Sequence, residues 1–200
     1  MPSIAAIILA GGRSSRMGVE KSLMDFGGAP VIARVIERLA PQVTTLAINA
    51  NGDAARFARF ALPVIADLRE DFPGPLAGIA AGLAYARAKG CEWLATAPCD
   101  APFAPRDLVA RLHAQSSPGG LVIASSAQGI EPLFGLWSVA ALPHIEDALQ
   151  KGEHAVHELA TKLGAKIVCI ENASGAPDWA LNLNRPQDVA DALAVSRSSQ

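Results

Sequence analysis

IAAIILAGGRSSRMGVEKSL runs from Ile4 to Leu23, and its two halves are chemically unlike. Ile4–Leu9 is an unbroken apolar run of strand length, which suits a strand buried on both faces, as in the interior of a parallel sheet. After it come Gly11 and Gly12, then Arg13, Arg16 and Lys21 in one short loop of small residues. In an open parallel sheet, ligands bind beyond the carboxyl ends of the strands, and the loop after the first strand is the usual phosphate contact. The two glycines let the backbone approach a ligand closely with its amide N–H groups on anionic oxygens, and the three cations add formal charge. A glycine-rich surface turn with solvated charges is the competing reading, against which three cations in one loop favour a phosphate site. Neither G-x-x-x-x-G-K-[ST] nor G-x-G-x-x-G is present, which disfavours a P-loop NTPase and a dinucleotide-binding Rossmann domain.

Outward from this stretch, similar apolar runs return at Val43–Asn49, Leu62–Ala66, Glu92–Ala97, Leu121–Ser125 and Lys166–Ile170, each bounded by turn residues. All of them read as strands buried on both faces. Between them, Pro30–Leu39 opens with a proline suited to a first helical turn, and Pro105–Ala114 carries Leu108, Val109 and Leu112 on one face. Leu142–Leu163 reads as two helical pieces broken at Gly152, and a last helix covers Pro186–Val195. Ile130–Val139 looks like a strand that pairs antiparallel, and WALNLN (Trp179–Asn184) like a further one with Asn182 and Asn184 on the same side. Strands alternating with helices predict an α/β fold: a mostly parallel mixed sheet covered by helices on both sides. No linker or internal repeat divides the chain, so residues 1–195 are expected to form a single domain, with 196–200 a disordered tail.

Half of the 200 residues are hydrophobic, enough for a sizeable core, and the formal charge of −2 gives no global basic field. No run of lysine and arginine follows a phosphate backbone, so nucleic acid is not an expected partner. Ile4–Ala10 lacks the basic flank of a secretory signal, and no stretch is long and apolar enough to span a bilayer, which predicts a cytoplasmic protein without a membrane partner. Cys91, Cys99 and Cys169 have neither C-x-x-C spacing nor a histidine at zinc-ligand distance, and read as buried or partly buried thiols in a reducing compartment. His154 and His157 lack a third ligand and read as a solvated helix face. No nucleophile–base constellation supports covalent catalysis.

L-A-G-G-x-x-x-R-M-G followed by an acid–lysine pair resembles the signature loop of the MobA-like nucleotidyltransferases, and within them the molybdenum cofactor guanylyltransferase group. NAN (Asn49–Asn51), IAD (Ile65–Asp67), DFPGPLAG (Asp71–Gly78), PCDAP (Pro98–Pro102) and LNLN (Leu181–Asn184) fall in that family's order over most of the chain. The resemblance implies a three-layer, Rossmann-like α/β/α fold of the GT-A type. It also implies transfer of GMP from Mg²⁺-bound GTP to the terminal phosphate of molybdopterin, with release of pyrophosphate. Further implied partners are molybdoenzyme chaperones or other proteins of cofactor biosynthesis. The acid beside the lysine is Glu20, and the step from Gly18 to Lys21 is one residue shorter than the family's G-G-V-D-K form.

By the same resemblance, GTP is held by Leu9, Ala10, Gly11, Gly12, Arg13, Lys21, Asn49, Asp67, Gly78 and Asp100. Lys21 faces the α-phosphate, Arg13 and Arg16 hold the triphosphate tail with Arg16 in the catalytic group, and Asp100 is the metal ligand. A single aspartate suffices for magnesium, which takes few protein carboxylates and completes its shell with phosphate oxygens and water. Asp67 offers a carboxylate to guanine N1 and N2, while Asn182 and Asn184 face the pterin. For Asn49, Asp67 and Asp100 a turn or loop cap is the alternative reading, and for Gly74, Gly78 and Gly82 close helix packing is. Two rival functions remain open: a cytidylyltransferase of the same fold, disfavoured by LAGG in place of LAAG, and a nucleotide-binding cofactor chaperone without turnover.

Overall fold

The computed structural model describes residues 2–11, 21–68, 74–172, 177–183 and 186–198. Seven strands form one sheet: β1 (Ile4–Leu9), β2 (Thr45–Asn49), β3 (Val64–Ile65), β4 (Trp93–Pro98), β5 (Leu121–Ser126), β6 (Gly129–Ser138) and β7 (Lys166–Cys169). Their order is β3-β2-β1-β4-β6-β5-β7. β1 to β4 run parallel, β6 is antiparallel to both β4 and β5, and β7 is parallel to β5. The mostly parallel mixed sheet read from the sequence is therefore present. Its consequence for function is that β1, β2, β3 and β4 deliver their carboxyl ends to one edge, with β1 at the point where the chain turns from one side of the sheet to the other.

The uniform apolar runs of β1 and β4 arise because both sheet faces are covered. Ile4, Ala6 and Ile8 of β1 enter one core cluster, shared with α1 (Val31–Leu39) and α3 (Leu108–His113), while Ala5, Ile7 and Leu9 enter the other. That second cluster is shared with α2 (Pro75–Ala88), α4 (Leu142–Gln150) and α5 (Val156–Lys162). Period-two side chains of a strand thus feed two separate cores, giving three layers. α2 is buried over most of its surface because its alanines and glycines let it lie close to the sheet. A Cβ at Gly82 would come within 2.8 Å of Ile7 Cγ2 and 2.9 Å of Leu94 Cδ2.

Several elements differ from their sequence reading. β3 is only two residues long, and both β3 and β7 are edge strands that are not buried on both faces. Cys169 on β7 is accordingly exposed, whereas Cys91 is buried and Cys99 half-buried. Pro30 stands before α1 as its cap residue, with ψ of 146°. α3 begins at Leu108, three residues after Pro105, because the Gln42 side chain reaches across from the end of α1 and takes over the helix start: its Oε1 accepts from Val109 N at 2.8 Å. Trp179–Leu183 is not a strand. Asp178 accepts from Ala180 N through its side chain and from Leu181 N through its carbonyl, a turn that breaks the alternation, leaving Leu181 38% exposed and Leu183 fully buried. The break at Gly152 between α4 and α5 is present, at φ +78°. α6 runs over Pro186–Ser198.

Candidate active site

β1 hands over to the glycine loop in a fixed position. Ala10 N donates to Asn49 O at 2.8 Å on one side, and Cys99 N donates to Leu9 O at 3.2 Å on the other, so the loop departs from between β2 and β4. Leu9 is buried, Ala10 half-buried and Gly11 exposed. Lys21 opens a short 3₁₀ turn, Lys21–Leu23, that brings the chain back to the fold. Gly12, Arg13 and Arg16 lie outside the described residues, as does Asn184.

At the ends of β2 and β3 the structure brings Asn49 and Asp67 together. Asn49 is buried, and its Nδ2 donates to Ile65 O at 3.1 Å and to Asp67 Oδ1 at 2.8 Å. The second carboxylate oxygen, Oδ2, accepts from Asn51 Nδ2 at 2.7 Å, while Asp67 N donates to Asn51 Oδ1 at 2.9 Å. Asp67 is thus gripped through its carboxylate and its backbone. Arg56 in the 3₁₀ helix Ala54–Phe60 donates to Asn51 O at 2.6 Å and fixes the asparagine in turn. Each carboxylate oxygen has capacity for more than one donor, so a ligand can still be accepted beside the amides. Gly78 approaches this group from α2: a Cβ there would stand 2.3 Å from Asn49 Oδ1 and 2.9 Å from Leu9 Cδ2. Gly11 lies against the same oxygen, at 3.2 Å from its own notional Cβ. Gly74, at φ +123°, begins α2 in a backbone region that only glycine adopts readily.

Asp100 follows β4 by two residues, half-buried, at the same sheet edge. Its carbonyl accepts from Leu183 N at 2.8 Å, which brings the segment carrying Asn182 to this turn. The chain after Asp100 is clasped to α1: Arg38 donates to Ala104 O at 3.0 Å, and Gln42 Nε2 donates to Pro105 O at 3.0 Å. Arg106 pairs with Glu37 at 2.7 Å, and this hydrogen bond holds the Glu37 carboxyl below its ordinary range. His154 precedes α5, His157 lies on it, and both are exposed. Among the described residues, no group of three or more His, Cys, Asp or Glu could hold a metal ion alone.

Some residues that matter around the site were not singled out for it in the sequence. Asn51 is the nearest to having been found, since it closes the NAN motif and its two-residue spacing from Asn49 puts both on one side of the strand end. Gln42 and Trp179 left no local signal, because their partners are distant in the chain.

The family model of the MobA-like NTP transferase domain matches residues 6–167. The chain belongs to the MobA-like NTP transferase family. It is 43% identical to a molybdenum cofactor guanylyltransferase of Rhodopseudomonas palustris (strain BisB5), over 98% of this chain and 95% of that one. A molybdenum cofactor guanylyltransferase of Cereibacter sphaeroides is 44% identical, covering 96% of each chain. Among solved structures, molybdopterin-guanine dinucleotide biosynthesis protein A from Archaeoglobus fulgidus superimposes with a TM-score of 0.74 at 21% identity, over 98% of this chain and 99% of that one, and so shares the fold. As a MobA-like NTP transferase the chain is a nucleotidyltransferase. The span matched to the family contains the glycine loop, Asn49, Asp67, Gly78 and Asp100, whereas Asn182 and Leu183 lie beyond it. No described helix is long and apolar enough to cross a membrane.

Proposed function

We propose that this MobA-like NTP transferase moves GMP from Mg²⁺-bound GTP to the terminal phosphate of molybdopterin, forming the guanine dinucleotide cofactor and releasing pyrophosphate. The observation that carries the reading is the Asp67 carboxylate, gripped by the Asn49 and Asn51 amides beside Gly11 and Gly78. A carboxylate held at two points accepts well from guanine N1–H and N2–H, a donor pair that cytosine and adenine do not present together. The near-full-length similarity to molybdenum cofactor guanylyltransferases supports the same choice.

In this reading, Leu9 and Ala10 deliver the loop to the nucleotide, the amides of Gly11 and Gly12, with Arg13 and Arg16, cradle the triphosphate, and Lys21 meets the charge that grows on the α-phosphate. Asp100 fits magnesium: it offers a hard oxygen donor near the strand end, and no cluster of three or more His, Cys, Asp or Glu among the described residues offers a zinc site instead. When bound, the ion would neutralise phosphate charge and hold the transferring group in line. The incoming phosphate monoester, with a second pKa near ~6, is largely dianionic at neutral pH and needs no strong base. Alignment and neutralisation are the protein's task. Asn182 and Asn184 would face the pterin.

Turnover with GTP or CTP, magnesium and molybdopterin tests this. Pyrophosphate release and dinucleotide formation are expected with GTP. Faster turnover with CTP would favour the cytidylyl alternative, and GTP binding without pyrophosphate release a carrier role.

A further inference from the structure

The sheet forks at the edge that carries the site. β6 pairs with β4 only from Ser138 to Gly135, opposite Thr96, although β4 continues to Pro98. It stays with β5, through a register shift at Ile123/Ala124 that moves β5's partner from Gly135 to Glu131. Residues 132–134 are thereby released from the ladder, and Phe134 turns inward, fully buried. Trp179 packs on it edge to face, with ring centroids 5.0 Å apart. The Trp179 indole N–H donates to Ile170 O at 2.7 Å, just past β7, and its backbone N–H donates to the Asn172 side chain at 3.0 Å. From this anchorage the chain runs through Asn182 to Leu183, fully buried against Phe26, Val31 and Val189, whose N–H holds the Asp100 carbonyl.

We propose that Trp179 is a positioning residue for Asp100: wedged in the fork, it sets the 179–183 segment and through Leu183 fixes the main chain from which the Asp100 carboxylate reaches the metal. This rests on the reading of Asp100 as the magnesium ligand. The backbone hydrogen bond at Asp100 fixes the main chain behind a metal ligand, and by analogy with contacts to the ligand group itself, whose loss typically weakens metal affinity about 10- to 100-fold, a loss near the lower end is expected.

Trp179→Phe keeps a ring on Phe134 but removes the donor to Ile170. Phe134→Leu keeps the donor and loosens the ring, and carries the test if the first variant does not fold. Mn²⁺, which accepts the same oxygen ligands, is titrated in the presence of GTP, and the protein-bound fraction is read from the enhancement of water-proton relaxation over an identical titration of GTP alone, since the nucleotide by itself binds the ion. Both variants are expected to bind Mn²⁺ about tenfold more weakly, while metal-free GTP affinity, measured in EDTA, stays within about twofold of wild type. A merely structural tryptophan would lower the melting temperature without that split. Wild-type Mn²⁺ affinity in a folded variant, with binding lost in Asp100→Asn, overturns the proposal alone. Tight binding retained by Asp100→Asn overturns the metal reading and the proposal together.

Discussion

In the proposed function Lys21 and Gly78 act on the same nucleotide in different ways, and substitutions separate them. If the Lys21 ammonium meets charge that grows during transfer, Lys21→Ala lowers kcat by about 100-fold or more while GTP affinity weakens less, and Lys21→Arg rescues poorly because a planar fork does not replace a compact ammonium. Steady-state kinetics with saturating GTP checks this, and a collapse of affinity at unchanged kcat would reduce Lys21 to an anchor. Gly78→Ala has the opposite signature. Its methyl group would meet Asn49 Oδ1 at 2.3 Å, so the asparagine must move and release Asp67. GTP binding by calorimetry is expected to weaken by about tenfold, the scale of one lost net hydrogen bond of ~1.5 kcal/mol, with the metal dependence unchanged. At this scale the sequence was legible wherever a residue ends or closely follows an apolar run: Asn49 closes β2, and Asp67 and Asp100 follow β3 and β4 by two residues each. Asn51 and Trp179 were not legible, because what they do depends on which distant residue the fold brings to them.

Among the elements, the β4–β6 junction is where a parallel sheet accepts an antiparallel strand, and a buried hydroxyl pins it. Thr96 Oγ1 accepts from Gly135 N and from the Trp137 indole N–H, both at 3.2 Å. Thr96→Val keeps the shape and strands both donors in the core, so unfolding in urea should show a loss of about 1–3 kcal/mol for each unsatisfied donor, with GTP affinity unaltered. An unchanged midpoint would mean that other acceptors replace the hydroxyl. Strand identities could be read from apolar runs because burial on both faces demands them, and the antiparallel β6 was legible in IEPLFGLW. Trp179–Leu183 was misread because alternating Leu and Asn imitate a strand, while the turn at Asp178 uses one side chain and one carbonyl to cancel it. The late start of α3 likewise depends on Gln42, far away in sequence.

For the molecule as a whole, a ligand that binds only the native state stabilises it by mass action. GTP with magnesium at 100-fold above its Kd contributes about 2.7 kcal/mol, which at about 2–4 °C per kcal/mol raises Tm by roughly 5–10 °C. CTP and ATP at the same concentration should raise it less, as scanning calorimetry would show, and equal shifts for CTP and GTP would remove the guanine assignment. The fork between β4 and β6 also bears on how such a molecule diversifies. Everything that grips the Asp67 carboxylate belongs to β2, the chain just beyond β1 and β2, and α2, whereas the wedge in the fork is built from β6, the end of β7 and the chain that follows it. Mutations in the wedge are therefore expected to act on the metal site and to leave the guanine half in place, so a lineage can retune the transfer step while inheriting its nucleotide. In relatives, the residues corresponding to Phe134 and Trp179 are expected to change together, and those around Asn49 to stay.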